Sequence, residues 1–267
     1  HVNAINIADS QNITLKGMSF DYNPLPYTQA TITSIDYASA KIEADIHKGY
    51  PDINEFKNQG TVMIFDGKTR LWKRDVYGFY NADIKKNGDR KISVDLKHKD
   101  LKIDPIKPGD MLVIEQRKIA GLNLVTSKNV TLENLTIYSA PGIAIVGRYM
   151  SGDQIVNGIK ITRGPKPEGA TEERLYSTGA DGINYAYCRQ GPIITNCDIG
   201  FMGDDGVNLH GTTMPIYKIE SDSSVILMRP QGASPVVQIV ENGDRVLVLK
   251  PDSFATEAEG ILESLER

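Results

Sequence analysis

The sequence of 267 residues is poor in cysteine and contains no long hydrophobic run. Its two cysteines, Cys188 and Cys197, match neither a zinc-binding spacing nor a disulfide framework. We therefore expect two free thiols that pack as small hydrophobic side chains. No apolar stretch approaches the roughly 20 residues needed to cross a bilayer, so no membrane span is expected. The length still allows one large domain, or two smaller ones, with a substantial core.

An excess of positive charge is also absent. The chain has 30 lysines and arginines against 34 acidic residues, a net charge of −4. Because neither a basic cluster nor a run of aromatic residues and arginines occurs, nucleic acid and anionic membranes are not expected partners. The first residue is His1 rather than methionine, which indicates a fragment or a processed form. Any targeting peptide would then have been removed.

What the sequence does contain is a repeat. Residues 10–20 and residues 127–137 carry apolar side chains at the same offsets, in two pairs separated by a bend. This spacing predicts a short strand, a corner and a second short strand. Residues 155–161 and 192–199 continue the pattern. Each unit is too short to bury its apolar face alone, so neighbours must stack, as in a parallel β-helix with coils of roughly 20–25 residues.

Residues 24–118 differ from this pattern. Short alternating strands are predicted there, separated by turn sequences that contain Asn-Gly and Pro-Gly-Asp, which suggests an antiparallel barrel or sandwich. The predicted strands are Ala30–Ile35, Lys41–Ile46, Thr61–Phe65, Val76–Ala82, Lys91–Leu96 and Met111–Glu115.

A weaker and shorter copy of this insertion follows Gly211. Residues 218–226 resemble residues 34–42, and residues 242–248 resemble residues 108–114. In the tail, Thr256 and Glu259 have capping-box spacing, and apolar residues beyond them share one face, which predicts a C-terminal helix.

The sequence thus predicts an all-β chain, a right-handed parallel β-helix with an inserted small β-barrel and a second, abridged barrel-like module. The β-helix is assigned to residues 1–23 and 119–212 and is expected to be the catalytic part. The inserted barrel is assigned to residues 24–118. Residues 213–267 are assigned to the second, partial barrel with the C-terminal helix.

Acidic residues recur at one coil length. Asp181 lies in the sequence Gly-Ala-Asp-Gly-Ile-Asn, and Asp204 and Asp205 lie in Gly-Asp-Asp-Gly-Val-Asn-Leu-His-Gly, 23 and 24 residues later. Stacked coils would bring the three carboxylates together. Gly203 and Gly206 would permit the bend that two adjacent acids need to share a cleft. Alternatively, Asp-Gly pairs favour tight turns, and these acids could be corners of coils.

Three neighbouring carboxylates repel one another, so one of them is expected to keep a proton. A protonated acid and ionised partners that hold a water are the groups needed to hydrolyse a glycosidic bond with inversion. Asp181, Asp204 and Asp205 are the catalytic candidates. Polar residues that could bind the sugar are Asn184, Asn208, His210, Arg148 and Arg189.

The pair Gly-Ala-Asp-Gly and Gly-Asp-Asp-Gly on a predicted β-helix resembles the polygalacturonases of glycoside hydrolase family 28. Residues 181–184 and 203–211 are more similar to the acid-bearing segments of glycoside hydrolase family 110. That family comprises α-1,3-galactosidases that act on structures such as the blood-group B antigen. Its β-helix, interrupted by small barrels, is similar to the organisation predicted here.

The second resemblance implies an inverting exo-α-1,3-galactosidase, in which Asp204 protonates the leaving oxygen while Asp181 and Asp205 activate water. It implies no metal and no cofactor. The expected partner is a carbohydrate with terminal α-linked galactose, and a homo-oligomer is possible. Such glycans lie outside the cytoplasm, so a secreted, periplasmic or cell-surface protein is expected.

Other readings remain open. The polygalacturonase pattern is incomplete, because Gly-Ala rather than Asn-Thr precedes Asp181 and no Gly-His-Gly segment occurs. A polysaccharide lyase on the same fold would need calcium and a basic residue. A non-catalytic carbohydrate-binding β-helix would use the acids only in turns. The chain could also be a truncated enzyme whose cleft is incomplete.

Overall fold

The computed structural model describes residues 2–55, 59–97, 103–115, 119–211, 213–228 and 240–266. In these ranges the chain is all-β, as predicted, and its one helical element is a 3₁₀ turn at Ile53–Glu55. No helix within the described ranges has the length and apolar character to span a bilayer.

The strands fall into four groups along the chain. The first group is β1 (Ile5–Ala8), β2 (Gln11–Lys16) and β3 (Ser19–Phe20). The second is β4 (Tyr27–Asp36), β5 (Lys41–Ile46), β6 (Gln59–Phe65), β7 (Phe79–Gly88), β8 (Lys91–Asp95) and β9 (Met111–Glu115). The third is β10 (Leu122–Val125), β11 (Lys128–Glu133), β12 (Thr136–Ile137), β13 (Ile145–Arg148), β14 (Ser151–Asn157), β15 (Lys160–Ile161), β16 (Ile183–Ala186), β17 (Ile193–Thr195), β18 (Asp198–Ile199) and β19 (Val207–His210). The fourth is β20 (Ile216–Ser221), β21 (Ser224–Leu227), β22 (Arg245–Leu249) and β23 (Thr256–Ile261).

The first and third groups form three parallel sheets. Their orders are β1-β10-β13-β16-β19, β2-β11-β14-β17 and β3-β12-β15-β18, so consecutive strands of the chain visit the three sheets in turn. Gln11 pairs with Lys128 and Ser19 pairs with Thr136, which is the alignment of the repeat seen in the sequence. The inward side chains form one apolar cluster that includes Leu124, Leu132 and Ile161. This arrangement is consistent with a parallel β-helix.

The corners explain why asparagine and glycine recur in the coils. The residue directly after each strand of the second sheet has a positive φ: 67° at Gly17, 52° at Asn134, 66° at Gly158 and 53° at Asn196. Glycine and asparagine tolerate this left-handed conformation best. Near the start of β2 and β11, Asn129 donates from its Nδ2 to Oδ1 of Asn12 at 2.9 Å, so stacked asparagines join neighbouring coils.

The second group of strands forms a closed antiparallel barrel in the order β4-β5-β8-β7-β6-β9. Its interior is apolar and includes Ile42, Phe79, Val94 and Leu112. The observed strands lie close to those expected, except that β7 begins at Phe79, later than the predicted start, and continues through Gly88.

The barrel is attached to the coils through residues 162–178, here called the connecting segment. Arg174 of this segment is 5% exposed and donates two hydrogen bonds of 2.8 Å to Asp21, close to the point where the chain enters the barrel. Burial acts to raise the pKa of Asp21, but hydrogen bonds from Arg174 and Ser139 outweigh it and lower that pKa. Charge-assisted bidentate pairs of this kind fix geometry as well as adding energy.

Gln29, which contacts a buried histidine, holds the same segment from the barrel side. Gln29 donates from Nε2 to the Glu173 carbonyl at 3.0 Å, and its Oε1 accepts from the Leu175 amide at 3.1 Å. The same Nε2 lies 2.9 Å from Nδ1 of His47, and Nε2 of His47 lies 2.7 Å from the Thr31 hydroxyl. Because an amide nitrogen can only donate, Nδ1 of His47 accepts, and its Nε2–H donates to Thr31.

Burial lowers the pKa of His47. Arg70 and Arg90 lower it further, and Glu172 acts in the opposite direction. The Tyr50 ring packs edge-on against the imidazole, with centroids 6.0 Å apart. The folded protein therefore favours the neutral imidazole, and protonation would turn an N–H of His47 toward the donor group of Gln29.

We expect this histidine to make stability depend on pH. The unfolded chain binds the proton more readily, so the contribution of His47 is complete above the ordinary histidine pKa of about 6.5. This contribution is lost as the pH falls from about 6.5 toward the lowered pKa of His47 in the folded protein. Each unit of difference between the unfolded and the folded pKa corresponds to about 1.4 kcal/mol of stability. Urea unfolding of the parent and of His47→Gln from pH 8 to pH 5 measures it. A stability difference between the two proteins that does not change with pH would contradict the assignment.

The fourth group forms two antiparallel pairs, β20 with β21 and β22 with β23. The turn before β22 repeats a turn of the first barrel. The Glu241 amide donates to Oδ2 of Asp244 at 2.8 Å, as the Lys107 amide does to Oδ2 of Asp110 at 2.8 Å. Gly243 and Gly109 have φ of 94° and 90°. The resemblance between residues 242–248 and 108–114 thus extends to turn geometry.

The predicted C-terminal helix is wrong, because residues Thr256–Ile261 are strand β23. Arg245 of β22 donates to both carboxylate oxygens of Glu259 at 2.7 and 2.6 Å. Gly260 would disfavour a helix by about 1 kcal/mol relative to alanine. The hairpin pairing with β22 overrides the local helical pattern.

Candidate active site

Asp181 and Asp205 occupy equivalent positions on neighbouring coils. Ile183 of β16 pairs with Val207 of β19, so the residue two places before each strand is also aligned. The backbone continues this alignment, because the Gly182 amide donates to the Asp205 carbonyl at 2.9 Å. Neighbouring strands lie about 4.8 Å apart. Asp181 and Asp205 therefore stand at the same position on consecutive coils, and Asp204 directly precedes Asp205 in the chain.

An asparagine follows each of these acids at the same distance. Asn184 donates from Nδ2 to Oδ2 of Asp181 at 2.6 Å, and Asn208 donates from Nδ2 to Oδ2 of Asp205 at 2.9 Å. These bonds place all four polar side chains on the outer face of the first sheet, opposite the apolar interior. The predicted sugar-binding asparagines thus contact the acids directly and fix one oxygen of each carboxylate.

Asp181 and Asp205 differ in exposure. Asp181 is 6% exposed, whereas Asp205 and the preceding Asp204 are exposed. Among the described residues β19 has a single neighbour, β16, and the inward-pointing Val207 and Leu209 are 44% and 52% exposed. Asp181 lies between two strands and Asp205 lies on an edge strand. The environment of the pair is consequently asymmetric.

Each acid-bearing turn rests on a glycine that has no room for a side chain. A Cβ added at Gly179 would lie 2.2 Å from Oε2 of Glu115, and one added at Gly203 would lie 1.7 Å from Oη of Tyr176. Gly179 and Gly203 precede the acids at equivalent positions. Glu115 belongs to the barrel and Tyr176 to the connecting segment. The sequence did not indicate either residue, since no local pattern shows that a tyrosine or a glutamate packs against a turn far away in the chain.

Tyr176 is held from several sides. Its hydroxyl donates to Sδ of Met63 at 3.4 Å, and its ring packs edge-on against Tyr27 and Phe65, with centroids 5.4 and 6.3 Å apart. The side chain is 1% exposed. Because its surroundings belong to the barrel, the position of the turn at Gly203 is set partly by the barrel.

Arg148 and His210 lie on the same face as the acids. Arg148 pairs with Ala186, which pairs with His210, so the two residues are two coils apart at one register position. Arg148 donates to the Asn184 carbonyl at 3.0 Å and so leans toward the acids. Burial lowers its pKa, and the charge of Asp181 is among the influences that oppose this. Arg148, one of the predicted binding residues, is thus near enough to Asp181 for that charge to influence its pKa.

An aromatic ladder follows at the next position of the chain. The rings of Tyr149 and Tyr187 are stacked with centroids 5.7 Å apart, and Tyr187 meets His210 edge-on at 5.9 Å. Both tyrosines have positive φ, 54° and 57°. The ladder holds the imidazole of His210 at the border of the acid-bearing face.

Arg189 is the predicted binding residue that the structure does not bring to the acids. It lies beyond the Tyr187 corner and donates to Oδ2 and Oδ1 of Asp244 at 2.6 and 3.0 Å. The guanidinium therefore joins the coils to the β22–β23 module.

No group of three or more histidine, cysteine, aspartate or glutamate side chains suited to a metal ion occurs within the described ranges. The cysteines Cys188 and Cys197 are free and partly buried, and both pack against the apolar interior of the coils. Burial raises the pKa of the Cys188 thiol.

Comparison with known proteins adds to this geometry. The chain is 27% identical to alpha-1,3-galactosidase B of Bacteroides thetaiotaomicron over 96% of its own length and 43% of that protein. It is 25% identical to alpha-1,3-galactosidase B of Parabacteroides distasonis, over 85% of this chain and 38% of the relative. It is also 25% identical to alpha-1,3-galactosidase A of Akkermansia muciniphila, over 83% and 38%.

These similarities support a galactosidase family. No family model matches the chain. The chain spans about two fifths of the length of these relatives.

Proposed function

We propose that this chain carries the acids of a glycoside hydrolase that releases terminal α-1,3-linked galactose with inversion at the anomeric carbon. The observation that carries the proposal is the pair of equivalent carboxylates, Asp181 and Asp205. Each accepts a hydrogen bond from an asparagine three residues later, with Asp204 adjacent. The relatives named as alpha-1,3-galactosidases supply the substrate class.

The spacing of neighbouring strands supports the roles that we propose for the three acids. An inverting enzyme needs about 6.5–9.5 Å between its acid and its base, to leave room for a water. Equivalent positions on neighbouring strands are only about 4.8 Å apart. In this proposal Asp181 and Asp205 therefore act together on one side of the glycosidic bond, where they hold and activate the water. Asp204, adjacent to Asp205 in the chain, is the acid that protonates the leaving oxygen.

Neighbouring groups orient the substrate in this proposal. Asn184 and Asn208 each fix one oxygen of a carboxylate and leave the other for water or a sugar hydroxyl. Arg148 and His210 border the same face and bind hydroxyls of the sugar. No step requires a metal or a cofactor.

We infer the finer architecture on the same basis. The three parallel sheets form one right-handed β-helix, residues 1–23 and 119–212, which residues 24–118 interrupt as a barrel. Residues 213–267 form an abridged second module. From the proposed substrate class we infer a secreted, periplasmic or cell-surface location, and fractionation of the producing cells tests that location.

Proton NMR of the reaction tests the function directly. We expect the protein to release galactose from an α-1,3-linked galactose disaccharide and from few other α-galactosides. The β-anomer of galactose should appear first, and the α-anomer should follow by mutarotation. First appearance of the α-anomer would contradict inversion. Absence of hydrolysis with measurable binding of the glycan would favour the carbohydrate-binding alternative. An unsaturated product that absorbs in the ultraviolet, formed from a polysaccharide that contains uronic acid, would favour a lyase.

A further inference from the structure

An arginine of the preceding coil lies over the ring of Phe201, three residues before Asp204. Cζ of Arg163 is 3.8 Å from the centroid of that ring, which is the geometry of a cation–π contact. Ile161 of β15 pairs with Ile199 of β18, so Arg163 and Phe201 hold the same position on neighbouring coils. The contact therefore joins the coil of β15 to residues 200–205, here called the acid turn.

Phe201 has a backbone conformation that suits its side chain poorly. Its φ is 63°, in the left-handed region, where a bulky side chain is uncommon. Residues strained in this way persist only where the surroundings hold them, and they cluster at functional sites. The Ser177 amide donates to the Phe201 carbonyl and the Ser177 hydroxyl donates to the Gly200 carbonyl, both at 2.8 Å. The backbone is thus held by Ser177, and the ring is held by Arg163.

Arg163 is itself in an unfavourable place for a charge. Its side chain is partly buried, and burial lowers its pKa. The charge of Arg70 lowers that pKa further, while Glu173 acts in the opposite direction. A guanidinium nevertheless keeps its proton in proteins. Among the described residues Arg163 has no ion pair and no hydrogen bond from its guanidinium, and its contact there is the Phe201 ring. The aromatic ring, rather than a carboxylate, therefore explains this arginine.

We propose that Arg163 is a positioning residue of the acid site: its guanidinium, stacked on the ring of Phe201, fixes the turn from which Asp204 reaches the leaving oxygen. This inference rests on the proposed glycosidase function. The three residues from Phe201 to Asp204 span at most about 11 Å. Between them, the Gly203 amide donates to the Thr178 carbonyl at 2.9 Å. A shift of the ring thus reaches the acid through a short stretch, and a displacement of about 1 Å can lower the rate about 100-fold.

Two substrates separate positioning of the acid from a general loss of structure. Arg163→Gln removes the charge and keeps a planar polar group. For an α-1,3-linked disaccharide we expect its kcat to fall about 10- to 100-fold, with KM changed less than about two-fold. The aglycone of a nitrophenyl galactoside leaves without protonation, so kcat for that substrate should fall less than about three-fold. Phe201→Leu should reproduce both results, and Arg163→Lys, which keeps the charge, should lose less than Arg163→Gln.

Lys160→Gln is the matched control, because it removes a positive charge at an exposed position of the same coil, three residues before Arg163. This variant should keep the parental rate on both substrates. Equal losses on the two substrates in Arg163→Gln would show a purely structural role for the arginine. Parental rates on both would equally overturn the proposal.

A double-mutant cycle tests the contact and does not need activity. Arg163→Gln and Phe201→Leu each remove the same contact, so their effects on the free energy of unfolding in urea should be less than additive when combined. Amide hydrogen exchange at Gly203 should quicken in both variants but not in Lys160→Gln. If the parent protein shows no hydrolysis, the proposed function fails, while the cycle and the exchange still decide whether Arg163 holds the turn. Strictly additive effects together with unchanged exchange would refute it.

Discussion

Replacing Asp204 by asparagine is expected to lower the release of galactose by about 1,000-fold, the range typical of a lost general acid. Asparagine keeps the size of the side chain but cannot supply the proton that the leaving oxygen needs. Asp204 is exposed, so the change should leave the melting temperature close to that of the parent. Release of galactose from an α-1,3-linked disaccharide, measured together with thermal unfolding, tests both expectations.

A better leaving group sharpens this test. A substrate whose aglycone leaves without protonation, such as a nitrophenyl galactoside, should lose much less rate in Asp204→Asn than the disaccharide. Asp198→Asn on β18, an exposed aspartate in another sheet, is the matched control and should keep the parental rate. Unchanged turnover of the disaccharide by Asp204→Asn would refute the assignment of the acid.

Replacing Gly203 by alanine is expected to damage both stability and activity. The new Cβ would lie 1.7 Å from Oη of Tyr176 and 3.1 Å from the Gly179 carbonyl. Tyr176 cannot yield easily, because Tyr27 and Phe65 hold its ring. Overpacking of this kind costs about 1–3 kcal/mol. The acid turn must shift instead, and a displacement of about 1 Å can lower kcat about 100-fold.

The control lies three residues earlier. Gly200 has open space where a Cβ would stand and no positive φ. Gly200→Ala should therefore keep the parental rate and raise stability slightly, by about 0.4–1 kcal/mol, since alanine restricts the unfolded chain. Urea unfolding and steady-state kinetics of the two variants give the comparison. Equal behaviour of Gly203→Ala and Gly200→Ala would show that the contact with Tyr176 does not set the turn.

The stacking of the coils could be predicted because its signals are local and periodic. The apolar spacing shared by residues 10–20 and 127–137 predicts how the two coils align, and the structure has this alignment, with Gln11 paired with Lys128. The interval from Asp181 to Asp205 equals one coil, and Ile183 pairs with Val207 at the same interval. A shift by one residue would turn every apolar side chain outward, so the sequence pattern determines the register.

Local patterns failed where contacts with another strand or another module decide the outcome. The tail has the apolar spacing of a helix, yet β23 pairs with β22 and Glu259 bonds to Arg245. Arg189 follows the coil that carries Asp181, yet its side chain turns to Asp244 of the next module. In both cases a partner on another strand or module outweighs the local preference.

The sequence by itself determined that this chain is all-β, that its coils stack in one register, and that acids recur at one position of neighbouring coils. These features follow from side-chain periodicity and from turn residues, which act over a few positions. Only the tertiary structure decided what supports the acids. Glu115 and Tyr176 reach Gly179 and Gly203 because the barrel folds back onto the coils through the connecting segment. Such contacts depend on the packing of whole modules, and no short stretch of sequence encodes them.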